Sequence, residues 1–263
     1  MKLFGLLVLF TACLISSCQT TPVKYRMKPK TNSWNLFTLE QDVELGKKFV
    51  EVLESDSSDL VILDSATNCD AYAYLYEMRD KILATGNVVH PTDFEWRIRI
   101  IEDDTTLNAF CLPGGYIYIY TGIIKYLDNE SELAGILGHE IGHADLRHTT
   151  RRLSLNYTIS SIYGSMVGSL FDQVIGVSFS RDHETEADRM SVEYLCGTEW
   201  PSDGAAGFFK KMELTPQSDV PQWLSTHPSP ANRISNYHVW DSLSGCTGNE
   251  KYEQRFKEFQ ALF

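Results

Sequence analysis

Two histidines and a glutamate stand in the stretch His139-Glu140-Ile141-Gly142-His143, which has the pattern H-E-x-x-H. Residues four apart on a helix share one face, so both imidazoles can bind one ion. Neutral imidazole is a good zinc ligand. The glutamate between them can take a proton from a water that the zinc has activated. The pattern predicts His139 and His143 as metal ligands and Glu140 as a general base. Two histidines on a solvated helix face are the alternative.

A catalytic zinc needs a third protein ligand and one open position. Glu184 is the candidate, because it opens the run Glu184-Thr185-Glu186-Ala187-Asp188. Asp188 lies one helical turn further on the same face, where it can accept the other ring proton of His139. Glu186 points to a different face, and His183 is a rival ligand; both rank behind Glu184. An acidic helix start that favours the helix dipole is the other explanation.

Helices are predicted to position these side chains. Asp128 or Asn129 can cap a helix over residues 131–147, whose apolar residues form one stripe, and a second helix is expected over 183–195. Apolar residues at three- and four-residue spacing predict two more helices, over 39–54 and 71–83. Between the site helices, residues 155–179 are rich in Gly, Ser and apolar residues. Asp172 and Gln173 argue against a membrane span there and favour a helical hairpin or a loop beside the site.

Strands are predicted just before the motif helix. Residues 95–101 alternate apolar and charged side chains, which is typical of a strand with one buried face. Residues 107–112 and 116–120 flank Pro113-Gly114-Gly115, and proline followed by glycine suits a type II turn, so a hairpin is expected. Ile117 and Ile119 should face one way, and the three tyrosines between and beside them the other way.

The first residues have the pattern of an export signal. A charged start is followed by an apolar run, Leu3 to Ile15, and by Ser16-Ser17-Cys18, so residues 1–17 are predicted to be a signal peptide. The stretch Ile15 to Cys18 resembles the lipobox of bacterial lipoproteins, which predicts a lipid on Cys18. A plain signal peptide and an uncleaved anchor are the alternatives, although the run falls short of the roughly 20 residues that span a bilayer. Cys13 fits a lipobox less well.

The rest of the chain is predicted to be a tether, residues 18–33, and a single domain, residues 34–263. A net charge of −12 excludes nucleic acid as a partner and leaves the lipid anchor as the means of membrane attachment. The hydrophobic fraction of 43% is ordinary for a globular chain, and no internal repeat is visible. Gln19 is compatible with sorting to the outer membrane. The oligomeric state is left open.

Four further cysteines, Cys69, Cys111, Cys196 and Cys246, allow three pairings. None has the short C-x-x-C spacing of a thiolate zinc site, so we interpret them as disulfides, which an exported chain can form, or as buried thiols. The pair Cys196 and Cys246 is preferred.

Four motifs occur in an order that resembles one family. They are Asn108-Ala109-Phe110 with Leu112-Pro113-Gly114-Gly115, the H-E-x-x-H stretch, the run from Glu184 to Asp188, and His227-Pro228-Ser229 followed by Arg233. In this the chain resembles the gluzincin peptidases that include HtpX, the CAAX prenyl protease and BepA. The resemblance implies an α+β, zincin-like fold, mostly helical, with a small antiparallel sheet beside the H-E-x-x-H helix. It also implies one zinc ion per chain.

The resemblance assigns roles to residues as well. His139, His143 and Glu184 would bind zinc, Glu140 would be the base and Asp188 would support His139. Further, Asn108, Ala109 and Phe110 would form an edge strand that binds a polypeptide substrate in extended conformation. His227 would be a fourth ligand in a latent state, a group that stabilises the oxyanion, or a structural loop histidine. Arg233 would tie that loop to the site.

The expected function is a zinc endopeptidase that cleaves misfolded or misassembled envelope proteins at the periplasmic face of the outer membrane. A zinc-containing assembly factor or chaperone is the alternative. An aminopeptidase ranks low, because the sequence has no Gly-x-Met-Glu-Asn type motif to hold a free amine. HtpX and the prenyl protease have several membrane spans and BepA has a helical repeat domain, and neither feature is visible here. The chain is therefore expected to group with the soluble exported members.

Overall fold

The computed structural model describes residues 34–55, 60–156, 178–214, 222–229 and 232–263. The predicted signal peptide, Cys18 and the tether lie outside these ranges, as does most of the segment 155–179. The described helices are α1 Leu39–Leu53, α2 Cys69–Leu83, α3 Thr121–Tyr126, α4 Glu130–Asp145, α5 His148–Asn156, α6 Arg181–Leu195, α7 Ala205–Glu213, α8 Trp223–Thr226, α9 Arg233–Ser244 and α10 Glu253–Gln260.

Three strands form the sheet, namely β1 Arg97–Ile101, β2 Ala109–Leu112 and β3 Tyr116–Tyr120, in the order β1-β3-β2. The α+β class is confirmed. The expectation of an antiparallel sheet is wrong in one respect, because β1 pairs with β3 in parallel while β2 and β3 are antiparallel. The hairpin turns back so that its second strand enters between β1 and β2. The chain therefore runs through β1 and β3 in the same direction.

The predicted hairpin turn depends on two glycines. Gly114 and Gly115 have φ angles of +79° and +83°, which side chains rarely adopt. A Cβ on Gly114 would also lie 2.9 Å from the Cα of Val43 in α1. After the turn, the alternation in β3 is as predicted. Its isoleucines join the core cluster that contains α4, and its tyrosines join the cluster that contains α1. The hairpin thus joins the two parts of the core.

Helix α4 begins as predicted, because the side chain of Asn129 accepts a hydrogen bond from the backbone N–H of Glu132. It ends at Asp145, two residues before the predicted end at 147. Arg147 has a φ of +59°, which breaks the helix before α5 begins at His148. The guanidinium of Arg147 binds the carboxylate of Asp42 and so joins this corner to α1. The break turns the chain sharply just after the H-E-x-x-H motif.

Small residues let α4 and α6 pack closely. A Cβ on Gly142 would lie 3.1 Å from the carbonyl oxygen of Ala187, and a Cβ on Gly138 would lie 2.9 Å from the Oγ of Ser191. Ala187 stands between the two acidic residues of α6 that the sequence singles out. Because the helices approach so closely, those carboxylates reach the histidines of α4.

The disulfide joins Cys196, at the end of α6, to Cys246, which confirms the preferred pairing. Among the described residues Cys111 is a buried free thiol and Cys69 an exposed one. No helix in the described part of the chain is both long and apolar enough to span a bilayer.

Replacing Gly142 with valine should separate α4 from α6, because the added methyl groups meet the backbone of Ala187. Overpacking of this kind lowers the free energy of unfolding by about 1–3 kcal/mol. Urea denaturation of the metal-free protein measures the loss. Gly142→Ala adds a single methyl group, which would lie 3.1 Å from the carbonyl oxygen of Ala187. This variant should lose less free energy of unfolding than the valine variant. An unchanged midpoint for Gly142→Val would contradict the packing argument.

Candidate active site

Helix α4 presents the three motif side chains in the protein interior. His139, Glu140 and His143 are all buried. The Nε2 atoms of His139 and His143 lie 3.0 Å apart, as expected for two rings on one helix face that point at a common centre. The predicted geometry of the motif is therefore present.

Two further side chains approach this centre from other elements. The Glu184 carboxylate at the start of α6 lies 3.5 Å from Nε2 of His139 and 3.3 Å from Nε2 of His143. The Nδ1 of His227, which follows α8, lies 3.4 Å from Nε2 of His139 and 3.2 Å from Oε1 of Glu184. One atom from each of the four residues lies within 4.8 Å of the other three. Three separate segments thus converge on one point.

The donor set fits a tetrahedral metal ion. Ligands at about 2.0 to 2.1 Å from a tetrahedral zinc are roughly 3.3 Å from one another. The five measured separations, from 3.0 to 3.5 Å, scatter about this value. Imidazole nitrogen and carboxylate oxygen are also the ligands that zinc prefers. In addition, no nitrogen or hydroxyl donor among the described residues bonds the carboxylate of Glu140, beside which lies only the weak donor of the Cys111 thiol. Its oxygens therefore remain able to bind a water or a substrate group.

A network of charged and polar groups contacts His139 at Nδ1, on the side of the ring away from the ligand cluster. The Oδ1 of Asp188 lies 2.9 Å from Nδ1 of His139, where the sequence predicts it. The same oxygen accepts hydrogen bonds from Arg233, at 2.6 Å, and from the hydroxyl of Tyr237, at 2.9 Å. All four side chains are buried. The carboxylate therefore holds the ring of His139 with its Nε2 directed at the cluster.

His143 has a different support. Its Nδ1 lies 2.9 Å from Nδ1 of His148, the first residue of α5. The other ring nitrogen of His148 lies 3.2 Å from the carboxylate of Glu186, which also binds Arg151 at 2.9 Å. His148 is fully buried, whereas Glu186 and Arg151 are half-buried. The support of this ring thus extends toward the surface through a second imidazole.

The surroundings shift the pKa values of the carboxylates in opposite directions. Burial raises the pKa of Glu140, which suits a group that must accept and later release a proton. Burial also raises the pKa of Glu184, but His227, His143 and His139 outweigh it and hold that pKa well below its usual range. Glu184 is therefore an anion, as a metal ligand must be.

The pKa values of the histidines also shift in opposite directions. Burial lowers the pKa of His143 well below its usual range and that of His148 to about 3, so both rings are neutral. Burial lowers the pKa of His139 too, but hydrogen bonds to Asp188 and Glu184 outweigh it and raise the pKa to about 9. A metal ion would therefore compete with a proton at His139.

The remaining predicted residues take other positions. His183 does not join the ligand cluster; its ring stacks on His148, with centroids 4.4 Å apart. Strand β2 lies at an edge of the sheet and contains Ala109 and Phe110, while Asn108 comes just before it. Asn108 still continues the pairing, because its carbonyl accepts a hydrogen bond from the N–H of Tyr120.

Sequence reasoning missed several residues that contact the site. Besides His148, they are Tyr237 behind Asp188, Phe179, whose ring stacks on His143 with centroids 4.0 Å apart, and Trp223, whose ring stacks on His227 at 4.3 Å. The position of Tyr237, four residues after Arg233, could have indicated that the two share a helix face. No spacing rule points to Phe179 or Trp223.

An H-E-x-x-H helix that receives a glutamate from a second helix defines the gluzincin class of metallopeptidases. A family model described as Peptidase family M48 matches residues 70–240, which is more than half of the 263 residues. The chain belongs to peptidase family M48.

Several curated proteins are similar to this chain. One is the putative beta-barrel assembly-enhancing protease of Vibrio cholerae, 26% identical over 90% of this chain and 52% of that protein. The metalloprotease YcaL of Escherichia coli is 25% identical over 61% of this chain and 66% of its own length. The mitochondrial metalloendopeptidase OMA1 of Saccharomyces cerevisiae is 31% identical over 61% of this chain and 50% of its own length. The chain spans about half the length of the first of these.

Asp188 and Arg233 should be energetically coupled. Breaking a buried ion pair by removing one partner leaves an uncompensated charge and costs about 3–5 kcal/mol. We therefore expect Asp188→Asn and Arg233→Met each to be strongly destabilised in urea denaturation of the metal-free protein. The double variant should lose less free energy of unfolding than the two single variants lose in total, and the difference, the coupling energy, should be about 0.5–3 kcal/mol. Additive losses would show that the pair does not act as a unit.

Proposed function

We propose that the chain hydrolyses peptide bonds with one zinc ion and with Glu140 as the general base. One observation carries the proposal: no nitrogen or hydroxyl donor among the described residues bonds the buried Glu140 carboxylate, which lies 3.6 Å from His227 of the cluster of four metal-ligand side chains. A site built only for structure has no use for such a carboxylate, because an unpaired buried charge is costly.

His139, His143 and Glu184 are the proposed metal ligands. Bound zinc would polarise the scissile carbonyl and lower the pKa of a water, so that a nucleophile is available near neutral pH. Asp188 would hold the ring of His139, as its 2.9 Å contact supports. His143 is neutral, which leaves its Nε2 lone pair free for the ion.

Glu140 would accept the proton from the attacking water and donate it to the leaving amine. Its raised pKa supports both steps, because a base with a pKa nearer to neutrality can also release the proton. The Nε2 of His227 lies 3.6 Å from Oε1 of Glu140, longer than a hydrogen bond but close enough to face the same reaction space. His227 would stabilise the oxyanion or act as a fourth ligand.

The substrate would be a polypeptide bound as an added strand along β2. In an antiparallel pair, residues alternate between pointing their backbone groups at the partner and away from it. Asn108 bonds to Tyr120 of β3, so the groups of Ala109 and Cys111 point to the opposite edge. Among the described residues no strand pairs with that edge. Extended peptides bind such edges through main-chain hydrogen bonds.

Envelope proteins that are misfolded or misassembled are the proposed substrates, and a lipid on Cys18 would hold the enzyme at the periplasmic face of the outer membrane. The name of the Vibrio cholerae relative, a putative beta-barrel assembly-enhancing protease, supports a role in the envelope. The signal-like start of the sequence supports export.

Glu140→Gln should retain zinc and lose cleavage, because the amide cannot accept the proton. Loss of a general base lowers the rate by roughly 10²- to 10⁴-fold. Zinc content by elemental analysis and cleavage of an unfolded protein substrate are the measurements. Glu132→Gln makes the same change in the first turn of the same helix and should keep normal activity. Full activity of Glu140→Gln would refute the proposed role. With cleavage blocked, envelope proteins that copurify with this variant identify the substrate class.

The second reading is an assembly factor with a closed zinc site. The position of His227 favours it, because its Nδ1 lies 3.2 Å from Glu184, as close as the motif histidines do, and 3.4 Å from Nε2 of His139. Four permanent protein ligands would leave no open position for water or substrate.

A hydroxamate inhibitor should distinguish the two readings. If the site has or opens a fourth position, the inhibitor will bind the zinc-loaded protein, and the X-ray absorption spectrum of zinc will show an inhibitor oxygen in place of water or of the His227 nitrogen. His227→Ala should then bind the inhibitor at least as well as the wild type and should retain zinc. If the wild type shows no spectral change and His227→Ala loses the metal, His227 is a permanent ligand and the assembly-factor reading holds.

A further inference from the structure

The two histidines of the H-E-x-x-H motif are supported in unequal ways. His139 donates directly to a carboxylate, that of Asp188. His143 instead meets another imidazole, with 2.9 Å between its Nδ1 and the Nδ1 of His148. Histidine ligands of metals usually donate their second N–H to a carboxylate, a carbonyl or a water. An imidazole is therefore an unusual partner for the second ring nitrogen of a metal ligand.

Metal binding allows only one arrangement of the ring protons on His143 and His148. Because Nε2 of His143 faces the ligand cluster, it must be unprotonated to bind a cation, so the proton of this ring sits on Nδ1. Nδ1 of His148, 2.9 Å away, must then be the acceptor. The proton of His148 consequently sits on Nε2, which lies 3.2 Å from Glu186 and donates to it. Each ring is thus restricted to a single tautomer.

Other contacts keep His148 in this orientation. Arg151, one turn further along α5, binds the same carboxylate as His148 does. The ring of His183 stacks on His148 with an angle of 11° between the planes. His148 itself begins α5 directly after the left-handed Arg147, so the chain reversal places its ring behind α4. The ring is therefore fixed on several sides.

We propose that His148 is a positioning residue for the metal site, which accepts the Nδ1 proton of His143 and is itself oriented by Glu186 and Arg151. The proposal rests on the proposed zinc function. It adds that the metal affinity depends on an acceptor at the place of the His148 Nδ1 atom, and that this side chain does not contact the metal.

Three substitutions separate hydrogen bonding from packing. His148→Asn keeps a carbonyl oxygen close to where Nδ1 stands, whereas His148→Gln moves its amide to the place of Nε2, and His148→Leu removes the acceptor. Loss of a group that orients a metal ligand typically lowers affinity by about 10- to 100-fold, which we expect for the Gln and Leu variants, with the Asn variant within about threefold of the wild type. Glu193→Gln is the control, because it breaks a buried ion pair with Arg189 on the same helix as Glu186, away from the ligands.

The measurement is zinc affinity by competition with a chromophoric chelator on the full chain. The visible spectrum of the cobalt-substituted protein is the second readout, and urea denaturation checks that each variant folds. We expect the order wild type, Asn, then Gln and Leu, with Glu193→Gln less stable but unchanged in affinity. Equal affinity of the wild type and a folded Gln or Leu variant would overturn the proposal. So would equal losses in the Asn and Gln variants. If the wild type itself fails to bind zinc, the proposed function fails instead.

Discussion

Convergence of polar ligand atoms in the interior is the constraint on which the rest of the structure depends. The ring nitrogens of His139 and His143 and the carboxylate of Glu184 lie 3.0 to 3.5 Å apart with no exposure to solvent. Burial of such groups is costly unless their lone pairs are used. A bound cation satisfies all of them at once, and its binding free energy adds to the stability of the fold.

This convergence requires two helices to approach more closely than large side chains allow. Glycines at 138 and 142 supply the space on α4, and Ala187 lies opposite on α6. Glu184 and Asp188 flank that alanine, so one close contact places both a ligand and the support of another ligand. The packing of these small residues and the chemistry of the site are therefore the same structural feature.

The groups behind the ligands contribute more to orientation than to the stability of the fold. Asp188, Arg233 and Tyr237 form a buried network that an apolar cluster of the same volume could replace at little loss of stability. What an apolar cluster could not do is direct the Nε2 of His139 at the metal. On the other side, the half-buried Glu186 gives His148 a polar partner without a second fully buried charge. The site is thus oriented by a charged network on one flank and by a neutral ring on the other.

Much of this protein follows from periodicity and spacing, which are local properties. Helical spacing predicted α1, α2, α4 and α6 to within two residues at their starts and ends, and it placed His139 with His143 and Glu184 with Asp188. The turn residues predicted the hairpin, because Pro and Gly restrict φ wherever they occur.

The parallel pairing of β1 with β3 could not be predicted in this way, because strand order depends on which surfaces the whole chain must cover. His148 is the clearest case. Five residues after His143, it would lie on the far side of a continuous helix, and only the left-handed Arg147, bound to Asp42 of α1, turns it back to the ligand. The sequence alone determined which side chains can bind a metal, since that chemistry belongs to residue types and to spacing within one helix. Tertiary structure decided which groups orient them, since those contacts join segments that local periodicity does not relate.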